Sequence, residues 1–503
     1  MPEPRYIQAI LPLKLGWLPT YRLREDQNPK VGDRILVRLA GKNYLAVVAR
    51  VGVTPGEKLN SAKISEVESV PDLPSVSEEE LKLWEFVSEY YLCTLGEVYR
   101  AAFGASGISS RDADCSSPRR ARKHLENSPI RQRPSLSAGS KQALTEILEY
   151  FQERKPVLLR SDDAREDVFA ELERRTREQG RDVLILRPEL KETDGPLRFD
   201  ALTSPATKRE LAKLLREHPG QTVYGTRNSL FLPWRNLGLL IVDDEFSHDY
   251  KQDGVSPRFN ARDTALVLAA IHGADALLCA SMPSLESAYN CRTGRFAAVQ
   301  MPSGGSLIPE IVDTSAEKRK RGMDGSYSLI LLSRMKSVLD AGGRVLILQP
   351  WKDTSDAEIE ARAHFPKAGA RINAMPLWKA GVRDLAKYDL TVLMNADFLL
   401  AKQDFRADEN ACRELDRLKR GCMSLLVQTS RADHPAFGAE DPCGKMLAER
   451  RNFGLPPYTR EIRLINGDDV KTVYLPKDKE LAARKARLLK EAGSGTVIDV
   501  DPK

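Results

Sequence analysis

Paired cysteines, long apolar runs and, at one critical turn, glycine are what this 503-residue sequence lacks. Its seven cysteines (Cys93, Cys115, Cys279, Cys291, Cys412, Cys422 and Cys443) never stand two residues apart, so the spacing speaks against a zinc site. An odd, dispersed set reads as reduced thiols and points to a cytoplasmic protein. No run of about 18 apolar residues exists to span a bilayer. The first residues, interrupted by prolines, lack the basic start and apolar centre of a secretory signal. A net charge of +6 is compatible with a nucleic-acid partner and equally with none.

What is present is a chain too long for one core, with length for about three or four domains. Short β-rich segments at Arg5–Leu11, Arg34–Leu39 and Leu45–Val53, separated by Gly and Pro, predict a small barrel. Ser77–Phe103 carries apolar residues at helical spacing, and Ser77 with Glu80 forms a capping box. Residues 105–135 are rich in Gly, Ser, Pro, Arg and Lys; they read either as a basic arm that touches phosphates or as a solvated linker. From Leu136 onward helices and strands alternate, with strands expected at Pro156–Leu159, Asp182–Leu186, Leu237–Val242 and Ala276–Ala280. A second such stretch has strands at Arg344–Leu348, Leu390–Met394 and Ser424–Gln428. Alternation of this kind predicts parallel sheets covered on both faces. The expected division is 1–104, 105–135, 136–310, 311–445 and 446–503.

The most informative stretch is the apolar strand that ends in Asp243, Asp244 and Glu245. It puts carboxylates at the C-terminal edge of a parallel sheet, where open α/β folds bind ligands. In a nucleotide motor the first acid holds Mg²⁺ and the second positions the attacking water. The alternative is a solvent-facing acidic turn.

Here a resemblance enters. Gly225–Pro233 and Asp243-Asp244-Glu245-Phe246 resemble the motif II region of PriA-type replication-restart helicases, and Ala280–Ser287 is similar to their motif III. Tyr250–Asp253 and Pro257–Asp263 look like the aromatic-rich loop by which that family senses single-stranded DNA. Asp404–Ala407, Ala448–Tyr458 and Tyr90–Val98 resemble further family signatures, in the family's order. The resemblance implies a barrel-like N-terminal 3′-DNA-binding domain, two RecA-like helicase lobes, and ATP, Mg and Zn as family cofactors. It also implies forked or single-stranded DNA and other restart and primosome proteins as partners.

Departures from the pattern shape the expectation. A phosphate-binding loop needs glycines for close backbone approach, a Lys and a Ser/Thr. This chain reads Arg160-Ser-Asp-Asp-Ala-Arg-Glu-Asp167, with neither glycine nor lysine between Val157 and Gln179. The arginine-bearing motif VI is reduced to Arg420-Gly421, and residues 350–410 contain no cysteine for the family's zinc insertion. The family's insert between Phe103 and Leu136 is missing, and the part after Arg460 looks shortened. Asp243, Asp244 and Glu245 are therefore expected to be vestigial, with no bound cofactor or metal. DNA contact is expected from Trp17, Lys42, Tyr250, Lys251, Arg258, Phe259 and Arg262. For Trp17, Tyr21 and Tyr44 stacking on a base competes with filling the barrel; Tyr21 suits the core and Trp17 the contact. For the loop, Arg262 pairing with a nearby acid and Phe259 packing inward are the structural alternative. The function implied is recognition of branched DNA in replication restart without a motor; the alternative is an ATP-dependent 3′-to-5′ helicase with an aberrant nucleotide site.

Overall fold

The computed structural model describes residues 5–54, 64–106, 134–161, 165–301, 307–401, 404–438, 441–493 and 495–503. Most of the basic 105–135 segment, and Asp162 and Asp163 of the Arg160–Asp167 loop, lie outside the described residues.

The N-terminal strands are Tyr6–Ile10, Thr20–Arg22, Arg34–Leu39, Lys42–Val51 and Val67–Ser69. They pair antiparallel, and the curled sheet brings its two edges together: the Arg22 amide donates to the Ser65 carbonyl at 3.0 Å, and Arg22 pairs with Glu66 at 2.8 Å. The barrel expectation holds. Its hairpin at Ala40-Gly41 has two residues, both with positive φ (47° and 79°), the twist that a right-handed β-ribbon requires. Tyr21 is buried in the barrel core with Ile7, Val37 and Val48, and burial pushes its hydroxyl pKa up to about 12.

The capping box forms as read, with the Glu80 amide on Ser77 Oγ at 3.2 Å and the Ser77 amide on the Glu80 carboxylate at 2.9 Å. The helical stretch is two helices, however, Glu78–Tyr91 and Leu95–Ser106. Leu92 takes the left-handed conformation (φ 55°) that ends the first, and Thr94 with Glu97 caps the second. Both helices bury Trp84, Tyr91 and Tyr99 in a core continuous with the first lobe.

That lobe is a seven-stranded parallel sheet in the order 297–300, 157–160, 275–280, 237–243, 182–186, 222–225, 198–199. Helices cover both faces, giving two apolar layers. The second lobe has five parallel strands in the order 310–313, 425–429, 390–393, 345–349, 372–376. A three-stranded antiparallel sheet, Thr459–Asn466, Asp469–Pro476 and Val497–Val500, with helix Leu481–Glu491, ends the described chain. No described helix is long and apolar enough to cross a membrane.

Candidate functional site: the motor cleft and the DNA-facing surfaces

Strand Leu237–Asp243 is buried along its whole length because it runs through the middle of a sheet covered on both sides. It delivers Asp243 to the sheet's C-terminal edge, as expected, but the carboxylate is already occupied. Arg165 Nε lies 2.9 Å from Oδ1; Oδ2 takes the Arg187 guanidinium and, at 3.3 Å, Lys191 Nζ. Arg187 is itself buried and also holds Asp194 at 2.8 Å and Glu166 at 2.9 Å. Burial works against its charge, yet the three acids outweigh burial and raise its pKa above the ordinary arginine value. Burial likewise works against Glu166, but Arg187 and Lys191 pull its pKa down to about 2.

The Mg²⁺ and nucleotide that the family resemblance implies do not fit the residues at this edge. Asp243 Oδ1 accepts no hydrogen bond but faces Arg165 Nε at 2.9 Å, and Oδ2 is shared by Arg187 and Lys191, so an incoming metal ion would meet three cations. Two unit charges 4 Å apart interact by about 4 kcal/mol at an effective dielectric near 20, and a divalent ion beside Arg165 and Arg187 doubles each repulsion. Helix Arg165–Glu178 opens with Glu166 and Asp167, the wrong charge for a phosphate site. Asp244 adopts a left-handed backbone (φ 51°), and its pKa is raised by burial against the opposing pull of Arg420 and Arg165. Arg420, the remnant of motif VI, pairs with Asp416 at 3.2 Å. Among the described residues no cluster of His, Cys, Asp and Glu could hold a metal ion.

Glu245 faces a different way. Its buried carboxylate accepts from the Ser284 amide (2.7 Å), Ser284 Oγ (2.9 Å) and Arg262 (3.3 Å), so motif II is tied to motif III. Burial raises its pKa. Motif III in turn meets the second lobe: the Leu285 amide donates to Glu409 at 3.2 Å, Ser281 bonds Asp416, and His248 bonds Asn410 at 3.1 Å. Glu409 pairs with Arg450 at 2.7 Å, and Arg406 and Arg450 flank the Phe405 ring. Two family signatures distant in sequence are thus one structural seam. Burial works against Glu286 beside it, but Arg262, Arg406 and Arg450 hold its pKa down to about 2. A cavity of about 100 Å³ opens at this junction, lined by Glu245, Arg262, Arg406 and Arg460 among others.

The loop at 250–263 requires a correction. Tyr250 and Phe259 are buried: Tyr250 donates its hydroxyl to the carbonyls of Leu186 and Asp243, and Phe259 packs edge-on against Phe231 at 5.3 Å. Lys251, also buried, donates to the Arg258 and Val500 carbonyls at 2.7 Å each and pairs with Asp499 at 2.8 Å. Arg258 pairs with Asp499 at 3.2 Å, and Arg262 with Asp263 at 2.8 Å. Lys251 and Arg258 tie the first lobe to the C-terminal sheet, while Tyr250, Phe259 and Arg262 are held by partners within the first lobe. For Lys251 and Arg258 the physical reason lies far along the chain, since Asp499 and Val500 supply the partners.

Trp17 and Lys42 are both exposed on the barrel, and Lys14, close to Trp17 in sequence, is exposed as well. Sequence reasoning missed the residue that seats this loop. At Gly96 an added Cβ would stand 1.9 Å from the Leu13 carbonyl oxygen and 2.4 Å from that of Leu11, so only glycine lets the Leu11–Pro19 loop lie on the helix start.

A curled barrel ahead of two parallel-sheet lobes, with an acidic strand end at the inner edge of the first, is a helicase-like architecture. The sequence comparisons agree. Residues 8–104 match the family model of the PriA 3′DNA-binding domain (3′BD). The replication restart protein PriA of Rickettsia felis is 28% identical over 364 residues, 68% of this chain and 53% of the relative. That of Haemophilus influenzae is 31% identical over 180 residues, 33% of this chain and 24% of the relative. The chain thus carries a domain matching the PriA 3′DNA-binding model and is similar to PriA proteins over 68% of its length. It spans about half the length of the first curated relatives it matches. Among solved structures it is similar to RecG bound to a three-way DNA junction (14% identity, TM-score 0.33, 75% of this chain, 51% of that one). It is also similar to a DEAD box protein from Methanococcus jannaschii (11% identity, TM-score 0.32, 64% and 96%).

Proposed function

We propose that this protein recognises branched or forked DNA in replication restart and works there as a binding and assembly factor without an ATP-driven motor. The observation that carries the reading is the state of Asp243, whose two carboxylate oxygens are held by Arg165, Arg187 and Lys191 of the same lobe. A motor needs that acid free for Mg²⁺ and its neighbouring loop free for phosphate. The family's DNA-binding domain, by contrast, is present, with Trp17 and Lys42 open to solvent. Aromatic faces suit unpaired bases and lysines suit phosphates. The partners that fit are forked or single-stranded DNA and other restart and primosome proteins.

A second reading, an ATP-dependent 3′-to-5′ helicase with an aberrant nucleotide site, draws on the contacts of Glu245 with Ser284 and of Leu285 with Glu409, which link motif II to the second lobe. It requires the cations around Asp243 to move aside. A titration of forked DNA at several salt concentrations tests the first reading: phosphate contacts give an affinity that falls steeply as salt rises. A flat salt dependence, or no fork affinity, would overturn it.

A further inference from the structure

Trp84 and Trp234 are buried, while Trp351 and Trp378 are 62% and 66% exposed. The two exposed residues sit in equivalent places on the second lobe. Strand Val345–Gln349 pairs in parallel with Ile372–Pro376, and Gln349 stands opposite Pro376. Two residues beyond each register partner comes a tryptophan, and directly after each tryptophan a lysine: Trp351-Lys352 and Trp378-Lys379. The same aromatic–cation pair is therefore presented twice, at neighbouring strand ends about 4.8 Å apart. This is the C-terminal edge of a parallel sheet, the edge at which open α/β folds bind ligands.

The charges at this edge are unevenly committed. Lys352 and Lys379 are exposed, and neither has an ion-pair partner among the described residues; Lys379 lies over the Trp378 ring at 5.4 Å. Arg431, two residues past strand Leu425–Thr429, is also exposed and its guanidinium is unpaired among the described residues. Two acids nearby are used internally. Asp353 accepts from the Ser355 amide and hydroxyl at 3.0 and 2.6 Å, and Asp397 accepts from Thr429 Oγ1 and the Ser430 amide at 2.8 and 2.9 Å.

We propose that Trp351-Lys352 and Trp378-Lys379 form a stacking platform for single-stranded nucleic acid on the second lobe. Each indole takes the face of a base and each lysine a phosphate, a combination tolerant of sequence because every base has a π-face. Interface cores favour tryptophan but are depleted in lysine, so a lysine directly after each indole favours a phosphate-bearing partner over a protein. The platform rests on the reading of this protein as DNA-binding and adds a second contact, remote in sequence from the barrel.

The test uses the full chain, a forked DNA, and an oligothymidylate whose 3′ end is blocked by phosphate. Trp351→Ala with Trp378→Ala should weaken oligothymidylate binding roughly ten- to hundredfold. Trp351→Phe with Trp378→Phe should keep most of the affinity, because a phenyl ring still stacks. Unchanged melting temperatures would show that the exposed substitutions leave the fold intact. Equal binding by wild type and the alanine variant, or no oligothymidylate binding by a wild type that binds the fork, overturns the platform alone; so does a loss with phenylalanine as large as with alanine. Absence of binding to both probes overturns the DNA-binding reading and the platform with it.

Discussion

The inner edge of the first sheet and the barrel loop at Leu11–Pro19 are both places where a family of this kind meets its ligands, and they are built in opposite ways. At the first, three acids and three cations answer one another: Asp243, Asp194 and Glu166 against Arg165, Arg187 and Lys191. At the second, Lys14 and Trp17 face solvent, with the loop seated on Gly96. A site whose charges are satisfied from within serves stability, and one whose charges and aromatic faces remain open serves binding. The difference is local: the acidic edge is closed by cations of its own lobe, while the barrel loop keeps Lys14 and Trp17 open to solvent.

The strongest way to break this comparison is at Arg187. Arg187→Ala strands Asp243 and Asp194, both buried, without their main counter-charge, which should cost about 3–5 kcal/mol of stability in denaturant unfolding. A change under about 1 kcal/mol would mean that the acids are not held by this network.

On the barrel the effect should appear in binding. Trp17→Ala should lower fork affinity by about 1–3 kcal/mol with stability unchanged, read by fluorescence anisotropy. Lys42→Gln should weaken binding modestly and reduce the salt slope by about one.

Lys251→Ala with Arg258→Ala sharpens the contrast, because these cations are spent on Asp499. Fork affinity and salt slope should stay as in wild type, whereas thermal stability should fall as Asp499 loses both partners. A lowered slope with stability intact would return the loop to the DNA surface.

The smallest effect concerns pH. Glu166 and Glu286 ionise near 2 when folded, below the ordinary value of 4.5, so their stabilising contribution is full above about 4.5 and is lost as pH falls toward 2. Burial first, then Arg413, depresses His248 from 6.5 to about 4, which makes the unfolded state bind the proton more readily. The contribution of His248 should therefore decline below pH 6.5 and those of Glu166 and Glu286 below 4.5, as melting temperatures of His248→Gln and Glu166→Gln compared with wild type across that range would show.

Much of this was legible in the sequence. The strand ending in Asp243, the Ser77–Glu80 box and both parallel sheets follow from apolar periodicity and turn chemistry, while the order of motifs was legible only through the family resemblance. Other features were beyond it for identifiable reasons. Thr222–Gly225 has β-type Thr, Val and Tyr but only four residues ending in glycine, too short to stand out, and Ile372–Pro376 carries Asn, Ala and Pro on an edge, which hides a strand's composition. The break at Leu92 needs a left-handed backbone at a leucine, which no residue preference announces. Arg165, Arg187 and Lys191 meet Asp243 from a helix start, a strand exit and a loop, a convergence that only tertiary structure reveals. The burial of Lys251 depends on Asp499, almost 250 positions away, so a loop of cations and aromatics looked like a surface when it is a joint.

The most direct test of the central claim is ATP hydrolysis measured with saturating forked DNA, on protein whose fork affinity has been established in the same preparation. The expected result is tight fork binding with no DNA-stimulated turnover, unchanged by Asp243→Asn. Turnover stimulated by the fork and abolished by Asp243→Asn would show that the acid still serves a motor and would contradict the account.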